Sequence, residues 1–328
     1  MTVTLPTWRD QRPVLVGPWT SEMGFECLYW LPWLAQEMSE GRLDPSKCII
    51  VTRGGAGAWY PPEAQSVELY DYVPPADLRL SALSAQTERA SVKQLAATSY
   101  EAKVLELIAA RLGLRRYRVL HPSAMYRALD PWWTSMTWGL KTLVDRLRIE
   151  PIRPVTKPVG LKLPLEPYVA MRWYARPTWP VRQELVEWVH AMTLAMANQQ
   201  PVVWMTSAAH LDDHVDFPAP PAHQNLTILQ IPDIQTSLAV QTSVIQGASQ
   251  YVGTWGGLAQ LAVRCGVPTA AAFDRWTGAS YAHRIFTEWI GLQTGVPVFV
   301  GRPVDFEAVR LAMPSQLAVP VPSKGSSS

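Results

Sequence analysis

The chain has 328 residues, of which 48% are hydrophobic and 17% charged, and its net charge is +2. That length favours two domains, the apolar content argues against a disordered chain, and the small charge argues against a general nucleic-acid binder. Cys27, Cys48 and Cys265 are scattered, odd in number and free of any CxxC pair, which argues against a disulfide scaffold or a structural zinc site and fits a reducing compartment.

The opening residues show no apolar signal core, and no uninterrupted apolar run reaches about 18 residues, so the expectation is a cytoplasmic protein without a transmembrane segment. Charge is uneven: residues 1–165 carry 20 Lys+Arg against 16 Asp+Glu, and residues 166–328 carry 9 against 11. The first half therefore suits an anionic partner better than the second. Fifteen tryptophans read either as a bulky core or as an aromatic-lined groove.

In chain order, residues 12–17 read as a buried strand ending at a glycine. Residues 24–41 read as a helix with Pro32 kinking its interior, and 48–57 as a second strand running into the glycine-rich loop Arg53–Gly54–Gly55. This is a βαβ unit. Residues 86–112 read as helix, 118–120 as a strand and 131–149 as a long amphipathic helix. Five prolines and no periodicity over 150–167 mark a linker, placing a domain boundary near 160.

Beyond it strands and helices alternate. Strands are expected at 168–173, 201–207, 225–231, 250–254, 268–273 and 297–301. Helices are expected at 181–199, 236–249, 257–266, 281–291 and 305–313. Such alternation predicts a parallel sheet covered by helices on both faces. The expected organisation is a Rossmann-like domain over 1–160, a second over 161–316 and a disordered tail over 317–328.

The stretch YVGTWGGLAQLAVRCGVPTAAAF, Tyr251 to Phe273, is a strand, a glycine turn and a helix in immediate succession. In a parallel α/β sheet such a junction lies at the carboxyl edge of the strands, where ligands bind. Thr254, Gly256 and Gly257 would offer a phosphate a hydroxyl, close approach to the backbone and the positive end of a helix. The same glycines equally serve close packing.

Residues 236–273 resemble the donor-binding segment of GT-B-fold glycosyltransferases, in whose heptosyltransferase-like members a helix, a strand and a Gly/Ser-rich turn precede a helix ending in G-x-P-x-x-A-x-F. Here that ending is CGVPTAAAF. The segment GPWTSEMGFE with the later RGG also resembles the start of uncharacterised bacterial glycosyltransferase-like proteins. The resemblance implies two Rossmann-like domains facing across a cleft. It further implies a nucleotide-diphosphate sugar as donor, its diphosphate held at Thr254, Gly256 and Gly257. Thr254–Trp255 stands where those members usually carry Asp-Ser or Asp-Thr, and Gln260 where many carry a ribose-binding glutamate.

A glycosyltransferase needs a base for the acceptor hydroxyl and cations for the leaving diphosphate. Glu26 and Glu22, at the junction of loop and first helix, are the candidate bases. Both are equally suited to be helix-dipole partners. Arg172 is the candidate phosphate ligand because a charge inside an apolar strand must be paired; the alternative is a salt bridge at the domain interface. Arg176 follows it. Arg53, Gly24, Gln241 and His283 complete the candidate donor site.

The loop 210–216, with Asp212, Asp213, His214 and Asp216, could hold a divalent metal, though the resemblance implies metal-independent transfer and no resident cofactor. His121 could reach an acceptor, and the arginines of 111–120 could bind an anionic one. The acceptor stays open: a glycan, a lipid-linked glycan, a small molecule or a modified nucleic acid. So does the oligomeric state. Two rival readings remain, a nucleotide-sugar epimerase of the same fold and a non-catalytic nucleotide-sugar binding protein.

Overall fold

A computed structural model describes residues 11–78, 93–133, 137–156, 160–176, 179–207, 215–231, 233–275 and 278–306. The chain divides into two compact units. One comprises Met1–Val155 with Asp233–Ala239, the other Thr156–Pro232 with Val240–Ser328.

The first unit is built on a parallel sheet of β1 (Val14–Val16), β2 (Cys48–Thr52), β3 (Gln65–Glu68) and β4 (Arg118–Leu120), in the order β3-β2-β1-β4. β1 and β2 are buried throughout, as strands covered on both faces are. Helix α1 follows β1 in three parts: an α-turn Met23–Phe25, a π-helical stretch Glu26–Trp30 and an α-helix Leu31–Ser39.

The kink expected at Pro32 is resolved by that π-helical stretch. Pro32 has no N–H to give, and the residue before it, Leu31, donates five residues back to the Glu26 carbonyl. Helix α2 (Ser99–Arg111) begins later than the expected 86, because Thr98 and Glu101 form a capping box there; residues 79–92 lie outside the described residues. The long helix expected over 131–149 is instead two short ones, Asp130–Trp133 and Leu140–Val144, with Gly139 as the N-cap of the second.

The second unit has six parallel strands: β5 (Val169–Arg172), β7 (Val202–Ser207), β9 (Leu226–Ile231), β10 (Gln250–Thr254), β11 (Thr269–Ala272) and β12 (Val298–Gly301). Their order is β12-β11-β10-β5-β7-β9. A two-stranded antiparallel ribbon, β6 (Tyr174–Ala175) with β8 (Val215–Asp216), was not legible in the sequence. Four helices alternate with the strands: α3 (Gln183–Ala197), α4 (Ser237–Gln246), α5 (Gly257–Arg264) and α6 (Gly278–Thr294).

The core of this unit gathers Met171, Trp173, Trp179, Val189, Met192 and Trp204. Nine tryptophans are buried among the described residues, so the bulky-core reading holds for most of them. The α/β architecture expected of each half is observed in each.

Among the described residues no helix is long and apolar enough to cross a membrane.

Candidate functional site

In the second unit the chain runs outward from β5 to β7 and β9 on one side, and from β10 to β11 and β12 on the other. The direction reverses between β5 and β10, which pair with Gly253 opposite Arg172. The carboxyl ends of two strands that diverge in this way leave a crevice, the usual ligand position in open α/β sheets. The glycine turn after β10 and the segment Arg172–Arg176 after β5 flank that point.

Arg172 is clasped on two sides. Its Nε and Nη2 each donate to Asp216 Oδ1 at 3.1 Å, and its Nη1 donates to Gln241 Oε1 at 2.5 Å. Its guanidinium also lies 5.6 Å from the centre of the Tyr174 ring. Asp216 Oδ2 accepts from the Ser207 backbone at 2.6 Å, which fixes the carboxylate from behind. Three residues singled out in the sequence, Arg172, Gln241 and Asp216, are thus one cluster. The ion pair that Arg172 makes lies inside the second unit.

Thr254 is fully buried, and its hydroxyl is spent. It donates to the Tyr174 carbonyl and accepts from the Tyr174 N–H, both at 3.0 Å. It fastens β10 to the segment after β5 and offers no donor to a phosphate. Gly256 is the N-cap of α5, in extended backbone that any residue adopts. Space is what favours glycine there, because a Cβ would run into the Tyr174 hydroxyl and lie 2.6 Å from Arg176 Nη1, so both side chains would have to shift. The corner is therefore packed, and an arginine is one of the groups packed into it.

Arg176 Nη1 donates to the Trp255 carbonyl at 2.9 Å, while Arg176 Nε is buried with no hydrogen-bond partner among the described residues. Helix α5 has no side-chain cap and no acidic residue in its first turn. A guanidinium thus sits at the positive end of a helix whose own first turn supplies no carboxylate.

In the first unit the order reverses between β1 and β4. Glu26 is fully buried in the π-helical stretch, and two side chains from the segment after β2 converge on it. Tyr60 donates its hydroxyl to Oε1 at 2.6 Å and Arg53 Nη1 donates to Oε2 at 3.0 Å, while Arg53 Nη2 holds the Ser21 carbonyl at 2.7 Å. Burial pushes the Glu26 carboxyl above the usual carboxylate range, and the neighbouring Arg53 and the Tyr60 hydrogen bond oppose that rise. Glu26 and Arg53, both singled out in the sequence, are therefore partners. Glu22 is exposed at the start of α1, and Gly24 is buried in its first turn.

The glycine loop after β2 has both Gly54 and Gly55 in the left-handed region, at φ 63° and 76°. This aims their N–H groups together, and Glu68 occupies them: Gly54 N donates to Oε1 at 3.1 Å and Gly55 N to Oε2 at 2.9 Å. The anion held by this loop is the protein's own carboxylate. On its other side the Gly54 carbonyl accepts from Leu238 and Ala239 N–H at 2.8 and 2.9 Å.

At the carboxyl end of β4 lies a second buried hub. Glu101 accepts from Gln94 Nε2 at 2.8 Å, from Thr98 N at 2.7 Å, from Thr98 Oγ1 at 2.9 Å and from Thr20 Oγ1 at 3.1 Å. His121 Nε2 approaches it at 3.5 Å. Burial alone would raise the Glu101 pKa, but His121 and the Thr98 bonds outweigh it and hold the pKa at about 2. His121 Nδ1 accepts from Ser123 N at 3.1 Å, so in the neutral ring the proton is on Nε2, facing Glu101.

His283 lies on α6. The next residue, Arg284, lines a cleft of about 450 Å³ at the carboxyl ends of β11 and β12, with Asp274, Phe299, Arg302 and Asp305; none of the sequence-predicted residues lines it. Of the candidate ligands in the acidic loop only Asp216 is described, and His210, Asp212, Asp213 and His214 lie outside the described residues. Among the described residues no three His, Cys, Asp or Glu side chains gather as metal ligands.

Sequence reading missed Tyr60, Glu68 and Tyr174, whose partners are distant in the chain or are backbone atoms. It could have found Glu101, since Thr98-x-x-Glu101 is a capping-box pattern.

No family model matches the chain, and no curated protein matches it in sequence. Solved structures similar to it include the iron-containing dodecameric glycosyltransferase TibC from enterotoxigenic E. coli H10407. That protein is 13% identical with a TM-score of 0.43, and the match covers 83% of this chain and 60% of that one, so the chain spans less than two thirds of TibC's length. A glycosyl transferase family 9 protein from Veillonella parvula DSM 2008 is 10% identical over 97% of this chain and 96% of that one, with a TM-score of 0.46. A putative UDP-N-acetylglucosamine 2-epimerase from Listeria monocytogenes is 10% identical over 96% and 93%, with a TM-score of 0.41.

Proposed function

We propose that the protein is a glycosyltransferase whose second unit binds a nucleotide-diphosphate sugar. One observation carries the reading: the Arg176 guanidinium lies against the amino-terminal end of α5, at the strand-order reversal, with a buried Nε that has no partner among the described residues. A cation and a helix N-terminus repel one another unless an anion joins them. A diphosphate there would accept from Arg176 and from the α5 N–H groups together. The Arg172–Asp216–Gln241 cluster beside it sets the shape of the wall and leaves Arg172 as a supporting charge.

In this reading the bond between the anomeric carbon and the diphosphate oxygen breaks, and its electron pair leaves with the diphosphate. The acceptor oxygen bonds to the anomeric carbon and loses its proton to a base. Glu22, exposed at the start of α1, suits that role in the first unit better than Glu26, whose two oxygens are committed to Tyr60 and Arg53. The leaving charge is met by arginine and helix end, so transfer proceeds without added divalent metal.

A thermal-shift titration with UDP, GDP, ADP, CDP and dTDP, with and without magnesium, tests the reading. Ligand that binds only the folded state raises the melting temperature. One diphosphate should do so without metal, and Arg176→Ala should reduce the shift at equal ligand concentration. A chain that no nucleoside diphosphate stabilises is not this enzyme.

A further inference from the structure

The far edge of the six-stranded sheet is β9, whose sequence Leu226-Thr-Ile-Leu-Gln-Ile has no charge and no proline. Thr227 and Ile228 are both exposed, Ile228 by 45%, although adjacent residues of a strand point to opposite faces. Neither face is therefore covered at this point. The inner side of the strand is fixed by β7. Val202 donates to the Asn225 carbonyl at 2.8 Å, and the parallel register pairs Val202 with Leu226 through Ser207 with Ile231.

Odd-numbered residues thus turn their backbone groups to β7, and Leu226, Ile228 and Gln230 turn theirs outward. The Leu226 N–H is used by the His223 carbonyl at 3.0 Å. Ile228 and Gln230 keep outward N–H and C=O groups. Soluble proteins ordinarily blunt such an edge with lysine, proline or a bulge, and β9 has no such device.

We propose that β9 is a dimerisation edge and that its occupant is a second copy of this chain, paired antiparallel about a two-fold axis at Ile228. An uncharged strand meets no like-charge repulsion from its own copy and offers nothing for a charged peptide to select. The outward groups are also self-complementary. With the axis at Ile228, each Ile228 exchanges both hydrogen bonds with the partner's Ile228, and Leu226 falls opposite the partner's Gln230. The two six-stranded sheets become one continuous sheet. A six-residue edge falls short of the roughly 1,000 Å² of a stable interface, so the association is weak, with a Kd on the order of 10–100 μM.

Sedimentation velocity on the full chain from about 1 to about 200 μM, a range bracketing that Kd, tests this. The wild-type mass should rise from one chain toward two. Gln230→Pro removes only an outward N–H and leaves the β7 ladder whole, and Ile228→Lys places like charges at the axis. Both should stay at one chain with the wild-type melting temperature.

Should either variant misfold, a cysteine pair supplies the answer. Ile228→Cys should form a covalent dimer under mild oxidation, since the two Cα atoms would lie about 5.5 Å apart, whereas Leu226→Cys and wild type should not. A wild-type chain of one-chain mass throughout overturns the proposal. So does a dimer that survives both Gln230→Pro and Ile228→Lys, or equal crosslinking at 226 and 228.

Discussion

Arg176 Nη1 bonds to the carbonyl of Trp255 at 2.9 Å, one residue before the N-cap of α5, and this one contact sets a cation against the positive end of a helix. The arrangement is unfavourable in the empty protein by about 0.3–1 kcal/mol. Arg176→Ala should therefore change the unliganded melting temperature little, because relief of that repulsion offsets part of the lost bond to the Trp255 carbonyl. At the same time it should weaken nucleoside diphosphate binding by about tenfold or more, the loss of one charge-assisted contact. Calorimetric titration of both proteins checks the two effects separately, and a variant that binds as tightly as wild type removes Arg176 from the site.

The Arg172–Asp216 pair is a separate matter of architecture. Both side chains are 15% exposed, and the pair joins the end of β5 to the ribbon strand β8. A double-mutant cycle of Arg172→Ala and Asp216→Ala, read by urea unfolding, should return a coupling energy of about 1–3 kcal/mol. A coupling near zero would mean that the two side chains stand independently.

Glu26 and Glu22 should part company on mutation. Glu26→Ala leaves the partly buried Arg53 without its counter-charge and should cost about 2–4 kcal/mol of stability. Glu26→Gln should cost less, because an amide oxygen still accepts from Tyr60. Glu22→Gln should leave the unfolding midpoint where it is and abolish transfer once the donor is known. Full activity in Glu22→Gln would return the search for the base to other groups.

Acid unfolding should report on Glu101. Its pKa is held at about 2 against an ordinary value of 4.5. A carboxyl with a depressed folded-state pKa contributes stability that is complete above the ordinary value and is lost as pH falls through the folded one. That shift corresponds to about 3 kcal/mol. Unfolding free energy measured from pH 5 down to pH 2, with Glu101→Gln as the control, should show a fall in the wild type that the variant largely lacks.

How far the sequence reveals all this depends on the range of each interaction. Strand–helix alternation in residues 168–301 is periodic and local, and it yields a six-stranded parallel sheet at nearly the expected positions. The ribbon of β6 with β8 escapes because each strand has two residues, too few for a period to show. The helix over 131–149 is overread because its apolar spacing continues through Gly139, where the backbone leaves the helix to begin another.

Within the candidate site, residue types are legible and partnerships are not. Arg53 and Glu26 each stand out as charges beside glycines and apolar runs, yet nothing in a linear string joins positions 27 residues apart. Gly256 looks like a place cleared for a ligand, and only the folded chain reveals that Tyr174 and Arg176 crowd it.

The π-helical stretch Glu26–Trp30 also bears on which length changes the chain can survive. A π-turn is an α-helix carrying one residue too many. Removing a single residue between Phe25 and Leu31 would let the helix relax to regular winding. The wide turn absorbs that residue, so the helix on either side would keep its phase and Trp33 and Leu34 would still face inward. What the deletion would remove is the alignment of Glu26 with Tyr60 and Arg53. The same deletion within the regular winding of Leu31–Ser39 would turn everything beyond it by about 100°, so a one-codon loss should be survivable in the π-helical stretch and ruinous one turn later.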